Sequence, residues 1–385
     1  MQHRNAVTNL LFIIIAFFAM VLTIMSPLLT EISKTFSLTL AQTGIIFTAN
    51  FLGFTVFLII GGILADLWGK KKVLAISLAG FTLSLVLFPL APNFPLAFIA
   101  IILFGGFGGI VEGTINSLIA EVNPERSIFY VNLAQVFFGL GAIVGPISAG
   151  VLVSNGFPWQ LCYYILAGAF LLITIAFCYA KLPPLKQSDK ISWNGFTKLI
   201  SDPKFLVIGL CMVLYTGSEV GGWGWMATFC KQNLKFTATK SSITVAVFWG
   251  AMSIGRLICG RLALRFSTRK IVIVLASLAT IVTVLSGFMQ NEMAIFLMIT
   301  AMGLAYSSQW PMILSYGSNY HPENSGTVYA LLIGFGGFGG AIIPLVMGLI
   351  AANLNNRIAM ISPAICFVMI AVIFMRFKNI PENKI

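Results

Sequence analysis

The chain has 385 residues, of which 58% are hydrophobic and only 9% charged, with a mean hydropathy of +0.97 and a formal net charge of +12. A soluble globular protein carries about 25% charged residues, so there is too little polar surface here to coat a water-soluble particle. The positive charge does not point to a nucleic-acid partner, because the basic residues sit at the ends of apolar stretches, where anionic lipid headgroups meet them, and no soluble domain is present to dock a duplex.

Lipid is the alternative solvent. Each crossing of a ~30 Å hydrocarbon core needs about 20 apolar residues, and their backbone polar groups must be satisfied within helices. Six such stretches lie at 6–29, 40–64, 73–90, 95–120, 128–153 and 160–180. Six more lie at 205–229, 241–262, 271–289, 293–317, 327–352 and 359–377. The first is too long for a cleaved signal, carries Pro27 near its end and lacks a small-residue cleavage site. The expected fold class is an all-α membrane protein with twelve transmembrane helices.

Most of the 23 lysines and arginines fall on the side that would hold the N-terminus. The opposite side has Lys34, Lys231, Lys235, Lys240 and Arg357, and Arg256 lies within a span. The positive-inside rule places both termini in the cytoplasm, in the inner or plasma membrane. Between the sixth and seventh spans, 182–203 is the longest polar stretch, opened by Pro183 and Pro184. Its later part, with Ile191, Trp193, Phe196, Leu199 and Ile200 among Lys190 and Lys198, suits either a short amphipathic interfacial helix or a solvated linker.

The chain also repeats itself. An offset of 198 residues carries Gly62–Asp66 and Lys71-Lys72 onto Gly260–Leu264 and Arg269-Lys270. It carries Asn123-Pro124-Glu125 onto His321-Pro322-Glu323, and Gly139, Gly141, Pro146 and Gly150 onto Gly337, Gly339, Pro344 and Gly348. The expected organisation is two pseudo-symmetric six-helix bundles, 1–181 and 204–385, joined by 182–203. Parallel repeats of this kind, with a site at their interface, are a transporter arrangement.

After the second span, Gly62-Ile-Leu-Ala-Asp66-Leu-Trp-Gly69-Lys70-Lys71-Lys72 resembles motif A of the major facilitator superfamily. The resemblance implies that Gly62 lets another helix approach and that Asp66 meets the positive N-terminus of the eleventh span, latching an outward-open state. Gly62, Asp66, Gly69, Lys71 and the intramembrane Arg256 are the expected gating residues.

Few of the 11 acidic residues lie deep within a span, but Glu112 in the fourth and Glu219 in the seventh do. A central charge costs ~2.5–3.5 kcal/mol on insertion scales, so such residues usually face a cavity and mark an ion or proton path. Gly105, Gly108, Gly109, Glu112 and Asn116 recur at helical spacing, a small-and-polar stripe. Glu112 falls over Trp310 in the repeat, with Gln309 and Tyr306 beside it. Carboxylate and amides in one half, indole and amide in the other, suit a polyhydroxylated ring. Arg256 reads equally well as a structural ion-pair partner near a gate and as a substrate ligand.

Glu112-Gly-Thr-Ile-Asn116, with Val131-Asn132-Leu133-Ala134-Gln135, resembles the fucose:proton symporter family, as does Tyr215-Thr-Gly-Ser-Glu219. The resemblance implies substrate binding and proton coupling at Glu112 and a sugar-hydroxyl ligand at Gln135, with Glu219 as the span-7 acid. That family has an acid near the end of the first span, where this chain has about Ser26. Proton coupling therefore rests on Glu112 or Glu219, or the protein is a uniporter. The expected substrate contacts are Asn50, Glu112, Asn116, Asn132, Gln135, Glu219, Trp223, Gln309 and Trp310.

Gly141-Ala-Ile-Val-Gly145-Pro146-Ile-Ser-Ala149-Gly150 resembles the antiporter motif of drug-efflux facilitators, so proton-driven efflux is the alternative to solute symport. Gly337–Gly348 repeats the spacing, which a packing role also explains. The two histidines, His3 and His321, lie outside the spans and the six cysteines show no CxxC spacing. No enzyme, metal or cofactor is expected, and the expected partners are a small solute, protons and the bilayer, with the protein a monomer.

Overall fold

The computed structural model describes residues 2–182, 193–322 and 325–378. Among them every regular element is helical. The first stretch of chain forms α1 (Gln2–Thr35), α2 (Leu40–Trp68), α3 (Lys70–Leu90), α4 (Phe94–Val122), α5 (Ser127–Ser154) and α6 (Gln160–Tyr179). The second forms α7 (Trp193–Ile200), α8 (Pro203–Asn233), α9 (Ala238–Leu262), α10 (Thr268–Ser286), α11 (Glu292–Tyr306), α12 (Gln309–Tyr320), α13 (Ser325–Asn353), α14 (Asn356–Ile361) and α15 (Pro363–Arg376). Twelve stretches are long and apolar enough to cross a membrane. The tenth joins α11 to α12 and the twelfth joins α14 to α15, while the others are single helices.

The helices overrun the apolar stretches. The residues between the second and third apolar stretches are helical through Asp66 to Trp68, and α3 begins at Lys70. Gly69 alone makes the turn, at a φ of 85° that side-chain-bearing residues rarely adopt. Of the polar linker, 183–192 (with Lys186, Lys190 and Ile191) lies outside the described residues, as does Lys384. The following helix α7 buries Leu199 and exposes Lys198 and Ile200, an amphipathic face on one short helix.

By packing, the chain divides into two compact units: Met1–Leu38, Ala49–Asp189 and Thr237–Ala246 in the first, and Thr39–Thr48, Lys190–Phe236 and Val247–Ile385 in the second. In the first, α1 lies along α5 and α3 lies along α4 and α6. A Cβ at Gly141 would overlap the carbonyl oxygen of Ala16, so only glycine lets α5 approach α1 so closely. Phe81 stacks on Phe104 at 5.4 Å and meets Phe170 edge-on at 4.9 Å, filling the space among α3, α4 and α6. In the second unit α8 lies along α13, and Gly339 stands to the carbonyl of Val213 as Gly141 does to Ala16. The glycine spacing shared by α5 and α13 is thus a packing device in both copies.

The repeat extends to finer contacts. In the second unit Gly348 packs on the Leu40 carbonyl and the Gly44 Cα. In the first, Gly150 packs on the Ala238 carbonyl and the Ser242 side chain, the same relation carried through the 198-residue offset. Side chains also bond main-chain carbonyls beside a helical proline. Near Pro344, the Thr48 hydroxyl donates to the Ala341 carbonyl at 2.7 Å and the Trp225 indole N–H to the Pro344 carbonyl at 3.1 Å. Ile59, Ile63, Leu67, Leu83, Leu171 and Leu172 are exposed, the apolar coat that a lipid-facing surface needs.

Candidate functional site

In the second unit, α8 carries the run Gly217-Ser218-Glu219-Val220-Gly221-Gly222-Trp223-Gly224, all of it buried. The glycines admit large neighbours: Met347 lies against Gly221, the Tyr306 ring against Gly222 and the Phe47 ring against Gly224. Glu219 is buried one turn beyond Tyr215 on the same face. Its carboxyl interacts electrostatically with Tyr215 and with Arg256 of α9. Trp223 meets Phe47 edge-on at 6.1 Å and Trp249 at 6.1 Å, so an aromatic cluster flanks the carboxyl.

This cluster adjoins the interruption of the tenth span at Ser307 and Ser308. Pro311 has no N–H with which to serve the Ser307 carbonyl one turn back, and its ring disfavours regular helix there. Arg256 supplies the missing donor, its Nε bonding the Ser307 carbonyl at 3.1 Å, while its Nη2 lies 3.7 Å from Met252 Sδ. Tyr215 Oη donates to the Tyr306 carbonyl at 2.9 Å. The Tyr306 side chain is fixed in turn by a hydroxyl–hydroxyl bond of 2.8 Å with Thr283. Gln309, fully buried at the start of α12, donates to the Ala305 carbonyl at 3.1 Å, and its Oε1 has no hydrogen-bond partner. A buried carbonyl oxygen in that state is costly unless something polar reaches it. Trp310, next along, is half-buried.

In the first unit, Glu112 is half-buried on α4. Asn116, one turn on, donates to the Glu112 main-chain carbonyl at 3.0 Å, and its Oδ1 is buried without a partner. On α5, Gln135 is half-buried and Asn132 exposed. Asn50 is buried on α2, where its carbonyl lies against Gly105. Gly105 and Gly109 receive the α2 backbone at Asn50 and Phe54, and Gly108 receives the Phe18 and Phe81 rings. The small part of the α4 stripe is therefore spent on packing, leaving Glu112 and Asn116 as its polar part. Ser26, at about the position where the resembled family has an acid, is fully buried in α1.

Around Gly69 the charges arrange differently from the sequence expectation. A Cβ at Gly62 would meet nothing within 4 Å, and the close approach is made at Gly61, against Ile110 of α4. Asp66 and Lys71 are exposed. Lys70 pairs with the Glu121 carboxylate and bonds the Ser117 hydroxyl at 2.6 Å, both from α4. Lys72 lies 5.6 Å over the Trp68 ring. Lys70, Glu121, Tyr215 and Pro311 were not among the expected site residues. The proline at 311, four positions after Ser307, is the one signal from which the interruption was readable.

The sequence profile of the Major Facilitator Superfamily matches residues 11–237 and 210–385. The chain belongs to the major facilitator superfamily. As a facilitator it is a multi-pass membrane transporter and not an enzyme. It is 27% identical over 269 residues to the glucose/galactose transporter of Brucella abortus biovar 1 (strain 9-941), a match covering 64% of this chain and 63% of the relative's length. It is 24% identical over 396 residues to the L-fucose-proton symporter of Escherichia coli (strain K12), covering 91% of this chain and 88% of that one. The fold superposes with a TM-score of 0.83 on a bacterial homologue of the human lysosomal transporter Spinster, at 15% identity and covering 97% of both chains.

Proposed function

We propose that the chain is a secondary active transporter of a small polar solute of the sugar class, working by alternating access with proton symport. The observation that carries this reading is Glu219, a buried intramembrane carboxyl in electrostatic interaction with Tyr215 and Arg256 and flanked by Trp223, Trp249 and Phe47. A carboxyl in that setting is suited to carrying a proton, and the neighbouring indoles are suited to the apolar face of a sugar ring. The two sugar-transporting relatives support the substrate class. Gln309 Oε1 and Asn116 Oδ1, buried and without partners, are the acceptors proposed for sugar hydroxyls.

In this reading the bundles are 1–181 and 204–385 with 182–203 between them, and both termini are cytoplasmic in the inner or plasma membrane. The substrate contacts are Asn50, Glu112, Asn116, Asn132, Gln135, Glu219, Trp223, Gln309 and Trp310, with Glu112 and Glu219 as proton carriers. Gly62, Asp66, Gly69, Lys71 and Arg256 take part in gating, and the protein acts as a monomer. The glycine pattern of α5 supports packing against α1 rather than drug export.

The substrate class is tested by thermal shift of the purified protein against aldohexoses, 6-deoxyhexoses and pentoses beside a panel of hydrophobic dyes. Stabilisation by one sugar group alone is the expected outcome. Stabilisation by the dyes and by no sugar would assign the protein to efflux.

A further inference from the structure

The Tyr215 hydroxyl has one proton, and two acceptors compete for it. One is the Tyr306 carbonyl, which can only accept, at 2.9 Å. The other is the Glu219 carboxyl, buried one turn along α8 on the same face and in electrostatic interaction with the phenol. Tyr215 can bond both groups together only when Glu219 carries a proton and donates it to the phenol oxygen. An ionised Glu219 can only accept. It then competes for the Tyr215 proton with the advantage of a charged acceptor, whose hydrogen bonds are roughly twice as strong as neutral ones. Arg256 is divided in the same way, between the Ser307 carbonyl and the charge of Glu219.

We propose that Glu219 and the interruption of the tenth span form one switch. With Glu219 protonated, Tyr215 and Arg256 hold the Tyr306 and Ser307 carbonyls and fix the junction of α11 and α12. When the carboxyl O–H bond breaks and the proton passes to water, both donors turn to the carboxylate and the junction is released. Pro311 makes the device work, because without its N–H no helical donor can take the place of Arg256 at the Ser307 carbonyl. In the first half the corresponding residue is Gly113, and α4 runs through it unbroken. The switch is therefore particular to the second half of the chain. It deepens the proton-coupling reading, since a proton taken up at Glu219 would set the geometry beside Gln309 and Trp310.

The groups facing Glu219 allow this assignment. Tyr215 comes from α8, Arg256 from α9 and Tyr306 from α11. From α15 comes Cys366, which lies near Ser218 and Tyr306. From α10 comes the neutral Thr283 hydroxyl on Tyr306. The long neighbour α13 has no acid or base in its sequence, and its one titratable side chain is Tyr329.

The test is hydrogen–deuterium exchange of the peptides spanning 301–314 in sugar-free protein in nanodiscs, between pH 5 and 9, corrected for intrinsic exchange rates. Wild type is expected to exchange faster at high pH by at least about fivefold, the equilibrium factor of one neutral hydrogen bond. Glu219→Gln, which keeps a donor toward Tyr215 and cannot ionise, is expected to stay slow across the range. Tyr215→Phe is expected to exchange fast at all pH values. A pH response that survives in Glu219→Gln would overturn the proposal, as would a wild-type response in Tyr215→Phe. If either variant fails to fold, the other still decides. No sugar is present, so failure of the switch and failure of the sugar-symport reading are separate results.

Discussion

The Tyr215 hydroxyl donates to the main-chain carbonyl of Tyr306 across 2.9 Å, from the seventh span to the point where the tenth stops being helical. A buried carbonyl deprived of such a donor costs about 1–3 kcal/mol. Tyr215→Phe keeps the ring and deletes only the donor. It is expected to lower the melting temperature in detergent by a few degrees, and Thr283→Val, which strips the hydroxyl from the Tyr306 side chain, by less. An unchanged melting temperature in Tyr215→Phe would show that this bond contributes nothing to the fold.

Close helix approach is expected to make glycine substitutions very unequal. Gly141→Val and Gly339→Val each drive a side chain into a carbonyl of the facing helix, at a cost of about 1–3 kcal/mol or more. Gly62→Ala places its methyl in open space and is expected to change stability by less than about 0.5 kcal/mol. Thermal denaturation followed by size-exclusion recovery of the three variants checks the ranking.

Lys70, the first of the three lysines after Gly69, pairs with Glu121. Its side chain and that of Glu121 are 12% and 18% exposed, so the pair is largely withdrawn from solvent. Lys70→Ala is expected to cost roughly 1 kcal/mol, and Lys71→Ala less than half of that. The exchanged double variant Lys70→Glu/Glu121→Lys is expected to recover part of the loss. A double-mutant cycle with no coupling energy would contradict the pairing.

Asp202 offers a pH prediction outside the spans. Partial burial pushes its carboxyl up, but the His321 ring 2.9 Å away and the amides of Lys204 and Phe205 outweigh this and hold it below its ordinary value. A depressed folded value means stability that is complete above the unfolded pKa of about 3.9 and lost as pH falls through the lower folded one. Asp202→Asn keeps the N-cap oxygen for Lys204 and cannot titrate. Its melting temperature is expected to sit below wild type at neutral pH and to converge with it below about pH 4. A constant difference across that range would remove Asp202 from the acid response.

How legible this was differs from residue to residue. The spans were readable because lipid leaves only long apolar helices as an option, and the duplication because a constant offset preserves glycines and prolines that packing requires. Gly141 and Gly339 bear that out with the same overlap against facing carbonyls. The interruption at Ser307 was not visible in hydropathy, since two serines and a proline barely lower the apolarity of a span. Tyr215 was readable only as part of the run Tyr215–Glu219, and only the fold shows that its hydroxyl meets the Tyr306 carbonyl. Gly61 and Gly62 are adjacent on one helix, and which of them faces α4 depends on a rotation that sequence spacing does not fix. Lys70 and Glu121 lie far apart in the chain, and their pairing needs α3 laid against α4.

Whether a sugar and a proton move together, with Glu219 carrying the coupling, is measured in proteoliposomes containing a trapped pH-sensitive dye. Glucose, galactose and fucose are added outside in turn, with the membrane potential clamped. At least one sugar is expected to acidify the lumen, and Glu219→Gln to abolish the acidification while the protein still binds that sugar. Alkalinisation on adding the solute, or an undiminished proton signal in Glu219→Gln, would contradict this coupling.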